Sequence, residues 1–121
     1  MSFEILRTKS INATATFASK QYTFVKIDTS GQLASPNAGQ WAIGVIQDKP
    51  VAASPGAVCY PGDITKVMVG TGGFNDGDFV TTDGSGKAIA AYSGAHILGV
   101  ALTTGVASSL ASIIYQPAGK L

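Results

Sequence analysis

Two stretches of this sequence repeat one another without a gap. Residues 24–46 read FVKIDTSGQLASPNAGQWAIGVI and residues 79–101 read FVTTDGSGKAIAAYSGAHILGVA, with eight identical pairs in 23 positions. Each stretch opens on Phe-Val, turns at Asp-x-Ser-Gly and returns through an apolar segment ending in Gly-Val, a pattern typical of short antiparallel strands. Because two copies are too few for a solenoid, the repeat predicts an internal duplication folded as one body, with a pseudo-twofold relation between its halves.

Short β-rich segments separated by Gly, Pro, Asn and Asp run through the rest of the chain, which predicts an all-β fold, a sandwich or a small barrel. Residues 21–121 are predicted to form this single domain, with repeat copies at about 24–74 and 79–117. Residues 1–20 lie outside the repeat and are predicted to be an N-terminal arm. The arm either adds a strand to a neighbour's sheet or pairs within its own domain. The predicted strands are 21–28, 41–48, 57–60, 64–70, 78–82, 96–103 and 110–116.

The Gly-Ser-Gly-Lys at residues 84–87 looks like the start of a phosphate-binding loop. That motif would need Gly at position 81 and Ser or Thr at position 88, where this chain has Thr81 and Ala88. The first copy of the repeat has Thr-Ser-Gly-Gln at the matching place. The segment is therefore predicted to be a hairpin turn, with Lys87 in solvent.

The charge content argues against a nucleic acid or a membrane as partner. Charged residues make up 12% of the chain, and eight Lys and Arg against seven Asp and Glu leave a net charge of +1. Binding to a phosphate backbone or an anionic membrane calls for a clustered basic patch, which is missing. No apolar run approaches the ~18 residues of a membrane span. The N-terminus lacks the apolar core of a signal peptide, so we expect synthesis in a cytoplasm.

The residues available for catalysis are few. His96 is the only histidine and heads an apolar strand, where a packing role is expected. Cys59 is the only cysteine, which excludes an internal disulfide and favours a small buried side chain. The aspartates of residues 75–84 do not have the spacing of a calcium loop. The sequence therefore predicts no enzyme, no cofactor and no metal site.

Aromatic and apolar residues outside the predicted core are the candidates for partner contacts. Phe24 and Phe79 are repeat partners and are predicted to lie in the core. Trp41 and Tyr92 fall in loops or at strand entries instead. Alternating apolar residues in the arm suit contact with a neighbour's sheet edge. The predicted partner-binding residues are Phe3, Ile5, Leu6, Arg7, Trp41 and Tyr92.

Turns and glycines follow one another along the chain in a series of motifs: FVKIDTSG at 24–31, IGV at 43–45, GDITKVMVG at 62–70, NDGDFVTTDGSGKA at 75–88 and ILGVAL at 97–102. Over about residues 20–117 this pattern resembles the capsid decoration, or cement, proteins of tailed phages. The resemblance implies a small β-barrel-like or β-tulip-like body that binds the outside of an expanded capsid and stabilises the head. It implies no enzyme activity and no cofactor.

The resemblance also implies the partners. These are the major capsid protein and other copies of the same chain, with a trimer favoured and a dimer possible. The protein would be made in the host cytoplasm and end on the outer capsid surface of the virion. Two other readings of the sequence stay open. One is a different phage structural module, such as a tail or fibre domain. The other is a hydrolase or glycan-binding β domain, with a cleft lined by Trp41, Tyr92 and Asp side chains.

Overall fold

The computed structural model describes residues 8–12, 21–48, 55–59 and 61–121, and every regular element in those ranges is a β-strand. The all-β fold predicted from the sequence is confirmed. No helix in the described residues is long and apolar enough to cross a membrane. The strands are β1 Thr8–Asn12, β2 Phe24–Ile27, β3 Leu33–Ala34, β4 Gly44–Val45, β5 Pro55–Cys59, β6 Ile64–Met68, β7 Phe79–Thr82, β8 Ala88–Ala90, β9 Gly99–Ala101 and β10 Leu110–Tyr115.

The described strands form a two-stranded sheet β1-β5, a three-stranded sheet β3-β2-β4 and a five-stranded sheet β6-β10-β9-β7-β8, in which all neighbours are antiparallel. An antiparallel bridge from Ile46 to Val58 joins the two smaller sheets, and we call them together the first sheet. Its order, β1-β5-β4-β2-β3, is repeated in the five-stranded second sheet. The register is also repeated, since Phe24 lies opposite Val45 as Phe79 lies opposite Val100.

The strand pairing extends the repeat beyond the copies recognised in the sequence. Lys9 of β1 lies opposite Val58, and Thr65 of β6 lies opposite Ile113, the residue equivalent to Val58. Strand β1 is therefore the first strand of copy one, and β6 is the first strand of copy two. The sequence comparison had left residues 1–20 outside the repeat and had placed 64–74 at the end of the first copy.

The missed equivalence has a physical reason. In register, TKSIN of β1 and ITKVM of β6 share no identical residue. Both are edge strands, whose pairing is made by main-chain hydrogen bonds to one neighbour and does not require identical side chains. For residues 8–12 the structure shows pairing within the same chain, one of the two alternatives for the arm. Phe3, Ile5, Leu6 and Arg7 lie outside the described residues.

The two Asp-x-Ser-Gly segments form the same turn. The Oδ1 atom of Asp28 accepts the backbone N–H groups of Ser30 and Gln32 at 2.9 and 3.0 Å. The Oδ1 atom of Asp83 does the same for Ser85 and Lys87 at 2.8 and 2.9 Å. These bonds cap the β2–β3 and β7–β8 hairpins. The hairpin-turn prediction for residues 84–87 is confirmed.

Different faces of the two sheets meet in the main core. The second sheet contributes Val80, Ala101 and Ile113, which pack in one cluster with Phe24 and Val45 of the first sheet. The residues equivalent to that second-sheet set lie in a separate cluster, made by Val25, Leu33, Ile46 and Val58 with Ile43 beside them. A twofold axis would bring the same face of each half together. The halves are instead stacked head to tail, so the predicted pseudo-twofold relation is wrong.

The junction between the halves is closed by Tyr115, which is fully buried. Its hydroxyl donates a 2.7 Å hydrogen bond to the carbonyl of Ala42 in the first half, and its ring lies 6.4 Å from that of Phe24. Beside it, the Cys59 sulfur accepts the backbone N–H of Val45 at 3.4 Å. Burial raises the pKa of both Tyr115 and Cys59, because the interior disfavours their anionic forms. Cys59 is thus a buried packing residue, as predicted.

Candidate interaction surfaces

Two of the six predicted partner-binding residues lie in described loops, and the structure brings those loops together. Trp41 is 52% exposed and Tyr92 is 45% exposed. The backbone N–H of Gly39 donates to Thr82 O, and the N–H of His96 donates to Gly39 O, both at 2.9 Å. These bonds join the loop before β4 to the second half. Trp41 and Tyr92 therefore lie on the same side of the two stacked sheets.

Gly39 is the contact point between the two loops. It has a φ of +70°, and a Cβ atom there would collide with the hydroxyl of Tyr92 and come within 3.3 Å of the Ala95 Cβ. Only glycine combines this backbone conformation with room for the Tyr92 side chain. The tyrosine therefore lies against the main chain two residues before Trp41.

The C-terminal residue extends this surface. Gly94 N–H donates to Leu121 O at 3.0 Å, and Leu121 N–H donates to Ala95 O at 2.9 Å. The Leu121 side chain is left 50% exposed. We call Trp41, Tyr92 and Leu121 the loop patch. The Nδ1 atom of His96 lies 3.2 Å from the carbonyl oxygen of Gly39 beneath this patch, so the histidine helps to hold the two loops together.

A second apolar surface was missed in the sequence. Phe79 is 49% exposed, although its repeat partner Phe24 is fully buried, so the prediction that both lie in the core is wrong for Phe79. The head-to-tail stacking explains the difference, because the face that carries Phe24 in the first sheet is covered by the second sheet. In the part of the chain that the structure describes, no sheet lies beyond the same face of the second sheet.

We call this uncovered surface the outer face. Across its strands, Phe79 lies opposite Val100, Val100 opposite Ile114, and Ile114 opposite Ile64, so these side chains share one side of the sheet. Ile64 is 69% exposed, Leu110 45% and Leu102 41%. The sequence LASIIY of β10 could have indicated this surface, because its apolar residues fall at both odd and even positions and therefore on both faces of the sheet. The apolar residues of the outer face are Ile64, Phe79, Val100, Leu102, Leu110 and Ile114, and Lys66 and Ser112 lie opposite each other on the same side.

The aspartates of residues 75–84 accept hydrogen bonds within or beside turns. Asp83 caps its hairpin, and Asp78 Oδ2 accepts the N–H of Asn75 at 2.9 Å. The Oδ1 atom of Asp76 accepts a hydrogen bond from the Thr104 hydroxyl at 3.4 Å. Within the described ranges, no three His, Cys, Asp or Glu side chains are grouped to hold a metal ion.

Comparison with known proteins adds one structural finding. No protein-family model and no curated protein match the sequence. Among solved structures, the chain is similar to the N base of the head fiber protein gp8.5 of bacteriophage phi29, with a TM-score of 0.76 and 16% sequence identity. The match covers 94% of this chain and 96% of that one. The chain therefore has the fold of that base along nearly its whole length.

Proposed function

We propose that this chain is a structural protein of a phage head that binds the outer surface of the expanded capsid and stabilises it. The observation that carries the proposal is the shared fold with a phage head fiber base, which extends over nearly the whole of both chains. The turn and glycine pattern that resembles phage decoration proteins supports the same assignment independently, because it was recognised from the sequence alone.

The surface chemistry supports a binding role. A protein that works alone in solution usually carries more charge than the 12% found here, which keeps it apart from its neighbours. This chain instead presents two exposed apolar surfaces, the loop patch and the outer face. Contiguous exposed apolar area of this kind marks interaction sites. In this proposal the protein is a homo-oligomer on the virion surface, it is not an enzyme, and its partner is the major capsid protein.

The mechanism is mechanical. An expanded head is under outward load from the packed genome, and a clamp that contacts several capsid subunits opposes their separation. Each contact alone can be weak, because linking several contacts in one oligomer raises the overall affinity by a factor on the order of 10²–10⁴. We assign the capsid contact to the loop patch and to residues 1–7, the predicted arm residues that precede β1.

The test is co-sedimentation of the purified chain with undecorated, expanded heads of its phage. We expect saturable binding at a fixed ratio to capsid subunits. A Trp41→Ala, Tyr92→Ala variant and a chain lacking residues 1–7 should each bind less while keeping the fold. The deletion stops at residue 7 because β1 pairs with β5 and its removal would expose that strand. Saturable binding would also separate this proposal from the glycan-binding alternative.

Two results would contradict the proposal. One is a full-length chain that does not bind expanded heads at any concentration reached. The other is binding of a glycan, without any capsid, that is lost when Trp41 and Tyr92 are replaced. A matched control is Ile27→Ala, since Ile27 is 39% exposed and lies on β2, away from both the loop patch and the outer face.

A further inference from the structure

The repeat shows how the outer face is normally covered in this fold. At equivalent positions in register, Phe24 is 0% exposed and Phe79 is 49% exposed. Likewise Val45 is fully buried, whereas Val100 is only partly buried. In the first half this face is covered by another sheet of the same repeat, within the same chain. Two such sheets pack about 10 Å apart with their side chains interdigitating.

The strands of the second sheet have the composition of strands covered on both sides. In β10, Ala111, Ile113 and Tyr115 point into the core, while Leu110 and Ile114 point outward. An antiparallel sheet with one face in water normally alternates apolar and polar residues. Here the outward positions are largely apolar, and Lys66 is the only charged residue in the five strands of this sheet. Lys66 lies on the outer face itself, opposite Ser112, so this face is largely apolar with one charged residue on its edge strand.

The outer face is the size of a weak protein contact. Thr81 lies on the same side of β7 as Phe79 but is fully buried, so the uncovered part of the sheet does not reach the β7–β8 hairpin. The strands β6, β10, β9 and β7 at ~4.8 Å spacing are about 19 Å wide, and the six residues of β10 are about 20 Å long, so the face covers at most roughly 400 Å². A partner surface of equal size brings the total to roughly 800 Å², which is in the range of weak and transient interfaces, below about 1,200 Å².

The opposite surface of the two stacked sheets limits what can cover the outer face. The complementary surface of the first sheet, which carries Val25, Leu33, Ile46 and Val58, is already buried within the chain. The head-to-tail stacking therefore cannot continue from chain to chain into a filament. A closed assembly is the remaining solution, in which copies cover one another's outer faces.

We propose that the outer face is the contact surface between copies of this chain. The partner is a second copy, because the only layer that the structure shows on this kind of face is a sheet of the same repeat. The proposal names the surface behind the homo-oligomer of the proposed function. It leaves the loop patch free for the capsid, and it holds whether or not the chain binds a capsid.

Sedimentation equilibrium of the full chain tests the proposal. We expect the wild type to have a mass that is a fixed small multiple of 12.3 kDa. Phe79→Lys should lower the association constant at least ~100-fold, because covering the face would bury an unpaired ammonium group. Ile27→Lys is the matched control, since Ile27 has a similar exposure of 39% but lies off the outer face, and it should assemble like the wild type.

A second variant guards against misfolding of the first. Ile64→Lys changes the outer face at its edge strand, where the side chain is 69% exposed and a lysine is easily tolerated in the monomer. It should also weaken assembly, and circular dichroism should show the same sheet content as the wild type. A wild type that stays at 12.3 kDa throughout, or lysine variants that assemble as the wild type does, would overturn the proposal.

Head binding separates this inference from the proposed function. If the wild type is a monomer and Phe79→Lys loses binding to expanded heads, the outer face belongs to the capsid contact and the inference fails while the proposed function stands. If Phe79→Lys abolishes assembly but no form of the chain binds heads, the proposed function fails and the inference stands.

Discussion

Two adjacent buried threonines allow a controlled test of how much an unsatisfied hydroxyl costs in stability. Thr81 and Thr82 follow one another in β7, and both are 0% exposed. The Thr82 hydroxyl donates a 2.9 Å hydrogen bond to the carbonyl of Asp83. The Thr81 hydroxyl has no hydrogen-bond partner among the described residues. The two sites match in residue type, strand and burial, and they differ in whether the hydroxyl is satisfied.

Replacing each threonine by valine should change the free energy of unfolding in opposite directions. At Thr81 the change removes an unsatisfied buried hydroxyl, whose burial costs about 1–3 kcal/mol, and substitutes a methyl group of similar shape. We expect Thr81→Val to stabilise the fold by about 1.5 kcal/mol. At Thr82 the change removes a made hydrogen bond, and we expect a loss of about 0.5–1.5 kcal/mol. The Asp83 carbonyl keeps a bond from Gly86 N–H at 3.2 Å, which holds the cost to the lower part of that range.

Urea unfolding followed by circular dichroism measures both values, and a thermal scan gives an independent reading. With 121 residues and about 2.1 cal/mol/K per residue, the unfolding entropy is about 0.25 kcal/mol/K. A gain of about 1.5 kcal/mol should therefore raise the Tm of Thr81→Val by about 6 °C. The reasoning is refuted if Thr81→Val is less stable than the wild type, or if both variants shift stability in the same direction by the same amount.

Two further predictions concern the strand junctions and pH. Gly99→Ala should lower the free energy of unfolding in urea by about 3 kcal/mol, because the new Cβ would collide with the Ile114 carbonyl. Gly84→Ala is the control: no atom lies within 4 Å of its Cβ position, so the free energy of unfolding should change by less than about 0.5 kcal/mol. Equal effects of the two substitutions would contradict this prediction. Burial raises the Tyr115 pKa above its usual 10.0, so its contribution to stability is complete below pH 10.0 and is lost at higher pH. Urea unfolding at a series of pH values should show that Tyr115→Phe is about 1 kcal/mol less stable than the wild type at neutral pH, because the hydrogen bond to Ala42 is lost. Above pH 10.0 the variant should lose less stability than the wild type. If both proteins lose stability equally at alkaline pH, Tyr115 is not the source of that loss.

Local chemistry in the sequence was enough to predict several elements. Asp28 and Asp83 lie at the same offset from a Ser and a Gly in both copies, and an Asx-type turn needs only those residues, so the hairpins were predictable. The same local logic excluded the phosphate loop at residues 84–87. The pattern of short β-branched segments between turn residues predicted the all-β class. Trp41 and Tyr92 were placed outside the core from their loop positions, and both side chains are exposed, while their contact with a partner stays a prediction.

The relation between the halves was out of reach of the sequence. Phe24 and Phe79 are identical residues at identical places in their strands, yet one is buried and the other half-exposed. The repeat predicted the turns and the strands that flank them, because those depend on residues close in the chain. Which face of one sheet meets which face of the other depends on side chains far apart in sequence, and both faces of these strands are apolar enough to serve. Only the tertiary packing decided between them, and in doing so it left the outer face of the second sheet uncovered.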